Sequence, residues 1–332
     1  MRWVAIFIIA AMIVLLIFVG FNALYEPIDS NKTIGVLLSG EIRYHKLNGL
    51  IDGLANQGLV EGIHYNLVVK NAEASMEQMK SYGLEMASLD MDILVALGGV
   101  EAEAIKKGLE QKQLDIPLVL AGVASSMERG LIDNYQNHHS NITGVDNYHA
   151  ELAGKRLELF TKMLPGIQNI LIVYDPNVTP GIHSMPFVEE VAEMLQLTIF
   201  KFPVEAHTSF DRDLADLLET EQIDAITYLP SFLLEEKFDY LIDTATSYKI
   251  PVMGVNEYEA QHGAMASYGV SYYNQGAQAA PIVAKILAGQ HANQLPLESP
   301  DRIELVINMQ VANELGITIS PLGMRFASTI IR

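Results

Sequence analysis

The sequence predicts an α/β protein of two doubly wound lobes, each built on a parallel sheet, joined by multiple crossovers and preceded by an N-terminal transmembrane helix. Short aliphatic runs without polar alternation recur along the chain, and such runs are typical of parallel strands that are buried on both faces. Segments with apolar residues at helical spacing separate these runs, as in βαβ units. The length of 332 residues also fits two domains of ordinary size.

The first residues predict a transmembrane helix over 1–26 that acts as an uncut signal anchor. Residues 3–25 carry no charged side chain, and at about 1.5 Å per residue they reach across the ~30 Å hydrocarbon core of a bilayer. Arg2 precedes this run and Glu26 follows it, which favours an N-terminus in the cytoplasm. A cleaved signal is the alternative. Both outcomes predict a periplasmic or extracytoplasmic protein, which is either anchored to the cell membrane or secreted into the periplasm. Residues 27–32 form the predicted tether between the apolar run and the lobes.

Two blocks of strands and helices follow the tether. The first block predicts strands at 33–38, 66–69, 92–97, 116–123 and 141–145, with helices at 44–58, 76–89 and from Glu101. The second block predicts helices at 149–164, 186–197, 210–219 and 233–248, with strands at 169–174, 198–204, 225–229 and 251–255. Each block is long enough for one lobe.

The remaining C-terminal elements are too few for a third domain. They are strands at 264–269 and 304–308 and helices at 272–289 and 310–316. We expect them to complete the two sheets, with crossovers near Val145, Val255 and Gly289 and a cleft between the lobes. The predicted lobe 1 is 33–146 plus 256–290, and the predicted lobe 2 is 147–255 plus 291–332.

Composition and motifs exclude several classes of function. With 40 acidic and 21 basic side chains the formal net charge is −19, which disfavours nucleic acid as a partner. The chain has no cysteine, so thiolate metal sites and thiol nucleophiles are excluded. We find no nucleotide-phosphate, serine-hydrolase or metalloprotease motif. His138 and His139 lie in a polar loop, and we expect no metal, no cofactor and no enzyme activity.

Candidate ligand-binding residues follow the predicted strands, because ligands of open parallel sheets bind at the carboxyl ends of strands. Gly98 and Gly99 either expose backbone amides to an anionic group or form only a tight turn. The hydroxyls either contact a ligand or cap helices. Glu235 and Glu236 are interpreted as a solvated helix surface, and Tyr272 as a packing residue. The candidates are Ser39, Tyr44, Gly98, Gly99, Ser125, Asp146, Asn177, Ser231, Asn256, Glu257 and Tyr268.

Several short segments, taken in order, carry a resemblance that spans about residues 33–320. They read NGLIDGL at 48–54, LVEG at 59–62, NITGV at 141–145, YDPN at 174–177, SYG at 267–269, YYNQG at 272–276, AKILAG at 284–289, LVIN at 305–308 and ANELGI at 312–317. Together they resemble the substrate-binding proteins of ABC transporters whose better-known members bind tryptophan or tyrosine. The resemblance implies a type I periplasmic-binding-protein fold, a small organic ligand such as an amino acid or a related compound, and an ABC permease subunit as partner.

The chain departs from this family at two positions that the resemblance connects with the ligand. Ala124, Ser125 and Ser126 stand where relatives often carry Asp-Pro, and Ser231 stands where they carry an acidic residue. An α-amino group usually pairs with a buried carboxylate, and Glu257 or Asp146 could supply one here. We therefore predict an extracytoplasmic solute-binding protein that binds its ligand in the interlobe cleft. The alternative is a binding protein that signals to a membrane receptor instead of feeding a permease.

Overall fold

The computed structural model describes residues 32–136, 140–204 and 209–332. The predicted transmembrane helix over 1–26 lies outside these ranges, as do His138, His139 and all of the predicted tether except Lys32. Among the helices in the described ranges, none combines the length and the apolar character that a membrane crossing needs.

The first lobe is built on a five-stranded parallel sheet. Its strands are β1 Thr33–Leu38, β2 Asn66–Asn71, β3 Ile93–Ala96, β4 Leu118–Val123 and β5 Ile142–Asp146, and its helices between strands are α1 Tyr44–Asn56, α2 Met76–Met86 and α3 Gly99–Lys112. The order across the sheet is β2-β1-β3-β4-β5. Apolar cores lie on both faces of this sheet, which is why its strands read as aliphatic runs.

The second lobe is built on a seven-stranded sheet. Its strands are β6 Asn169–Tyr174, β7 Thr198–Pro203, β8 Ala225–Tyr228, β9 Val252–Gly254, β10 Ala266–Gly269, β11 Glu304–Asn308 and β12 Thr329–Ile331. Its helices are α4 Leu152–Met163, α5 Thr179–Leu195, α6 Phe210–Thr220, α7 Phe232–Glu236, α8 Phe238–Ser247, α9 Glu257–Gln261, α11 Met309–Leu315 and α12 Pro321–Met324. Helix α10 Tyr272–Leu287 lies between β10 and β11 in the chain but packs on the first lobe. The order is β12-β11-β10-β9-β8-β6-β7.

One pair of strands corrects the prediction of wholly parallel sheets. Strands β10 and β11 pair antiparallel, with Ala266 opposite Ile307 and Gly269 opposite Glu304. The other strand pairs of both sheets are parallel within the described residues. Strand β10 reads ASYG and strand β11 reads ELVIN, and both are mostly buried. The hydrophobic pattern alone carries no information on their relative direction.

The C-terminal elements divide between the lobes differently from the predicted boundaries. Residues 257–269 form α9 and β10 of the second lobe, whereas the prediction placed 256–290 in the first. Helix α10 does pack on the first lobe, where a Cβ atom on Gly49 would lie 2.0 Å from the Tyr273 carbonyl oxygen. Leu295 and Leu297 also belong to the cores of the first lobe. The chain therefore crosses between the lobes after β5, between β10 and α10, and before β11.

A buried arginine joins two of these crossovers. Arg156 of α4 is fully buried, and its Nη1 donates to the His149 carbonyl oxygen at 2.7 Å. Its Nε donates at 2.7 Å to the carbonyl oxygen of Tyr268, near the end of β10. The Val270 amide in turn donates to the His149 ring at 3.3 Å. Burial lowers the pKa of Arg156 to about 10, so the guanidinium stays charged at neutral pH and holds the two crossing segments together.

Candidate functional site

Two cavities lie between the lobes, where strands of both sheets end. The outer cavity measures about 550 Å³, and its walls come from both lobes: residues 40–42, 71, 73 and 74 of the first and residues 235, 236, 238, 239, 258 and 259 of the second. The inner cavity measures about 50 Å³ and borders the crossovers through Asn147 and His149. A volume of several hundred Å³ is typical of pockets for small organic molecules, and of these two interlobe cavities the outer one reaches it.

The wall of the outer cavity is acidic. Its carboxylate side chains are Glu41, Glu73, Glu235, Glu236, Asp239 and Glu259, and no lysine or arginine is among the described residues that line it. Burial, reinforced by the nearby charge of Glu235, raises the pKa of Glu236. Tyr258 adds an aromatic ring to the same wall. An acidic wall with an aromatic ring attracts positively charged groups.

Glu259 is the most deeply buried of these carboxylates and has a structural role as well. It forms a capping box with Asn256 at the start of α9, in which the Asn256 side-chain amide donates to Glu259 Oε1 at 2.9 Å. Its other carboxylate oxygen accepts hydrogen bonds from the backbone amides of Val255 and Asn256. Burial nevertheless raises the pKa of Glu259 to about 7, because a charged carboxylate loses its hydration there.

Arg43 of the first lobe fills much of the space beside the inner cavity. Its Nη2 lies 2.6 Å from Glu235 Oε2 of the second lobe, and its Nε lies 3.5 Å from Glu101 Oε1. The guanidinium also lies 5.3 Å from the centre of the Tyr272 ring. Burial opposes the charge of Arg43, but the neighbouring carboxylates more than offset this and raise its pKa above the ordinary value.

Lys46 is a second buried basic side chain, one helical turn after Arg43. Its Nζ donates to the carbonyl oxygens of Ala121 at 3.2 Å and Gly122 at 2.8 Å, and it lies 5.3 Å from the centre of the Tyr272 ring. Burial, and then repulsion by Arg43, lowers the pKa of Lys46 well below its ordinary value. The inner cavity is small because these side chains occupy the space.

Three of the predicted site residues, Gly98, Gly99 and Ser231, line the inner cavity. The chain's own side chains cover both glycines, since a Cβ atom on Gly98 would lie 2.5 Å from the Glu101 carboxylate and one on Gly99 would lie 2.5 Å from the Arg129 guanidinium. Ser231 caps α7. The structure thus leaves little room for an anionic group at the two glycines.

The other predicted residues border neither cavity among the described residues. In the first lobe, Ser39 Oγ accepts a hydrogen bond from Arg43 at 3.3 Å, and Asp146 accepts hydrogen bonds from two backbone amides. Ser125 Oγ lies 2.9 Å from His183 Nδ1 of the second lobe, and its φ of 57° places it in the left-handed region. These side chains hold the protein's own structure.

The remaining predicted residues lie in cores or helix ends. Tyr44 and Tyr268 pack against the cores of the first and second lobes. The backbone amide of Asn177 donates to the carboxylate two residues before it, and Asn256 caps α9. Burial raises the pKa of Glu257. The assignment of these residues to ligand binding stays a prediction.

The sequence reasoning missed the charged side chains that meet between the lobes. Arg43 and Lys46 were not singled out, although Arg43 follows the first strand by five residues, a spacing that could have drawn attention to it. Glu235 was interpreted as a solvated helix surface, whereas its side chain is 18% exposed and pairs with Arg43. Asp175 belongs to the predicted strand end that supplied the candidate Asn177 but is not itself a candidate, and its Oδ2 accepts a hydrogen bond from Ser231 Oγ at 3.1 Å.

Two α/β lobes that are joined by three crossovers and enclose cavities between them define the class of periplasmic-binding-protein folds. A family model described as ABC transporter substrate binding protein matches residues 33–324. The chain belongs to that family. Membership confirms the prediction of a substrate-binding protein and not an enzyme.

One curated relative and two solved structures are similar to this chain. A tyrosine-binding protein of Clostridioides difficile (strain R20291) is 21% identical over 304 residues, covering 90% of this chain and 86% of that protein. A conserved domain protein from Vibrio cholerae has a TM-score of 0.82 at 24% identity, over 90% of this chain and 99% of that one. An ABC domain from Streptococcus pneumonia in complex with L-Trp has a TM-score of 0.80 at 22% identity, over 91% and 100%. The fold is shared with both.

Proposed function

We propose that the chain is the extracytoplasmic solute-binding subunit of an ABC transporter and that it binds a small organic solute in the outer cavity. The observation that carries this proposal is the cavity of about 550 Å³ with walls from both lobes. A solute there gains contacts with the second wall only when the lobes close around it. Binding therefore favours the closed arrangement, which is the form that a permease subunit would select.

The acidic wall supports a solute with at least one positively charged amino group. Six carboxylates line the cavity, and Arg43 pairs with one of them, Glu235. A cation in the cavity relieves the repulsion among the remaining charged carboxylates. The tyrosine-binding relative and the L-Trp complex of a fold neighbour favour an amino acid or a related amine. Such a solute would place its amino group beside Glu236 and Asp239 and its apolar part against Phe238 and Tyr258.

Calorimetry of the full chain in detergent tests this proposal against a panel of amino acids, diamines, nucleosides and matched carboxylic acids without an amine. We expect only amine-bearing solutes to bind. The double variant Glu236→Gln, Asp239→Asn should weaken that binding about tenfold or more, which corresponds to about 1.4 kcal/mol.

Asp213→Asn is the matched control, because Asp213 is an exposed carboxylate of α6 that does not line the cavity. It should leave the dissociation constant unchanged. No heat from any member of the panel, or equal binding of solutes with and without an amine, would count against the proposal.

We also propose that the apolar residues 3–25 anchor the protein in the membrane with the two lobes outside the cell. The support is the sequence, which has no charged side chain over this range. The full chain should stay with the membrane fraction after an alkaline wash, whereas a chain that begins at residue 30 should be released. Release of the full chain at its complete length would refute the anchor.

A further inference from the structure

Arg43 connects the two lobes through an ion pair at the inner end of the cleft. It ends the 3-10 turn Glu41–Arg43 that follows β1 of the first lobe, and its side chain is only 7% exposed. Its partner Glu235 lies on α7 of the second lobe, with 2.6 Å between Nη2 and Oε2. Opening the cleft by separating the lobes must break this contact.

The first lobe holds the guanidinium in the orientation that reaches Glu235. Its Nε donates to Ser39 Oγ at 3.3 Å and lies 3.5 Å from Glu101 Oε1. The Glu101 carboxylate is itself fixed by the Ser39 backbone amide at 3.0 Å. The Tyr272 ring packs at 5.3 Å from the guanidinium carbon. A side chain that is already oriented loses little entropy when it pairs across the cleft.

The same ion pair separates the two cavities. Glu235 lines both cavities, whereas Arg43 lines only the inner one. Together with Lys46, Arg43 leaves about 50 Å³ on its side of the pair, against about 550 Å³ on the other. A small organic solute fits only on the outer side as long as the pair is formed.

We propose that Arg43 is a positioning residue whose ion pair with Glu235 holds the lobes closed without a solute and confines the solute to the outer cavity. The side chains of the pair are only 7% and 18% exposed, so its attraction is screened less than that of a surface pair. In the open form Arg43 keeps Glu101 as a partner, so opening leaves no isolated buried charge in the first lobe. The closed state is thus favoured, but the lobes can still open. The apparent affinity for a solute rises with the fraction of molecules that are in the closed state.

Distance measurements between the lobes test this role without a solute, so the result does not depend on the proposed ligand. Because the sequence contains no cysteine, Lys80→Cys on α2 and Asp213→Cys on α6 place two spin labels at unique exposed positions. In the full chain in detergent we expect one narrow distance distribution. Glu235→Gln should broaden it towards longer distances and lower the ratio of closed to open molecules about tenfold.

Glu235→Gln is the deciding variant, because it leaves Arg43 paired with Glu101 and the core of the first lobe intact. Arg43→Gln should give the same broadening. The matched control is Arg129→Gln, which removes another mostly buried guanidinium of the inner cavity whose ion pair, with Glu103, stays within the first lobe. It should leave the distribution narrow. The same broadening in Arg129→Gln, or no broadening in Glu235→Gln, would overturn the proposal.

Discussion

Replacing Arg156 by methionine is expected to lower the free energy of unfolding by about 3 kcal/mol. The guanidinium is fully buried and donates to the carbonyl oxygens of His149 and Tyr268, each at 2.7 Å. Methionine fills much of the same volume but has no donor. Both carbonyl groups then stay buried without these partners, and each such loss costs about 1–3 kcal/mol.

The Arg156→Met substitution is expected to destabilise the fold because the hydrogen-bond partners of Arg156 are backbone carbonyl groups. A buried ion pair can often be replaced by apolar residues at little cost, but backbone carbonyl groups cannot be removed together with the arginine. Arg156→Lys should be intermediate, because an ammonium keeps the charge but cannot donate in two fixed directions. Urea denaturation followed by circular dichroism measures both variants.

The neighbouring Lys155→Met is the control for the removal of a positive charge from α4. Lys155 is 43% exposed and pairs with Glu158 within the helix, and such pairs contribute less than about 1 kcal/mol. If Arg156→Met cost no more than Lys155→Met, the crossovers would be held together by other contacts.

Glu259→Gln is expected to change how stability depends on pH. Burial raises the pKa of the folded Glu259 from its ordinary value of 4.5 to about 7. Between these values the folded chain binds more protons than the unfolded one, so the contribution of this group to stability falls as pH rises. At about 1.4 kcal/mol per pKa unit, the loss amounts to about 3 kcal/mol by pH 7.5.

The glutamine variant stays neutral at every pH and keeps an oxygen that accepts the Val255 amide. Its stability minus that of the wild type should therefore rise by about 3 kcal/mol between pH 4.5 and pH 7.5. The subtraction cancels the groups that both proteins share, such as His149, whose pKa burial lowers and whose slope has the opposite sign. Urea denaturation over this pH range provides the data. A difference that does not vary with pH would mean that Glu259 titrates alike in the folded and unfolded chains.

The fold was largely readable from the sequence because most of its inner strands, such as β1, β3, β4 and β6, are buried on both faces. The predicted strands at 169–174 and 304–308 coincide with β6 and β11. Helix boundaries were less accurate. Helix α5 begins at Thr179 and not at residue 186, since Pro180 fits the first turn and the helix accommodates Pro186 in its interior. The predicted helix 233–248 is divided into α7 and α8 at Lys237.

The site was less predictable for a physical reason. Sequence reasoning located the loops at the strand ends, and three of the predicted residues do line the inner cavity. The charges that dominate the cleft come from long side chains whose partners are far away in sequence. Arg43 meets Glu235 only because the lobes face each other. No local pattern encodes such a contact, and the position of Arg43 five residues after β1 marks it only as a residue near a strand end, without indicating its partner.

The placement of α10 has a consequence for how the chain acquires its structure during synthesis. This helix completes the core of the first lobe, yet it follows most of the second lobe in the chain. The nascent first sheet must wait, with one apolar face incomplete, until nearly 300 residues have left the ribosome. The first lobe therefore cannot complete its core from its N-terminal segment alone, and contacts this distant in sequence slow the search for the native topology. A chaperone that covers this apolar face would be needed for most of the time before α10 leaves the ribosome.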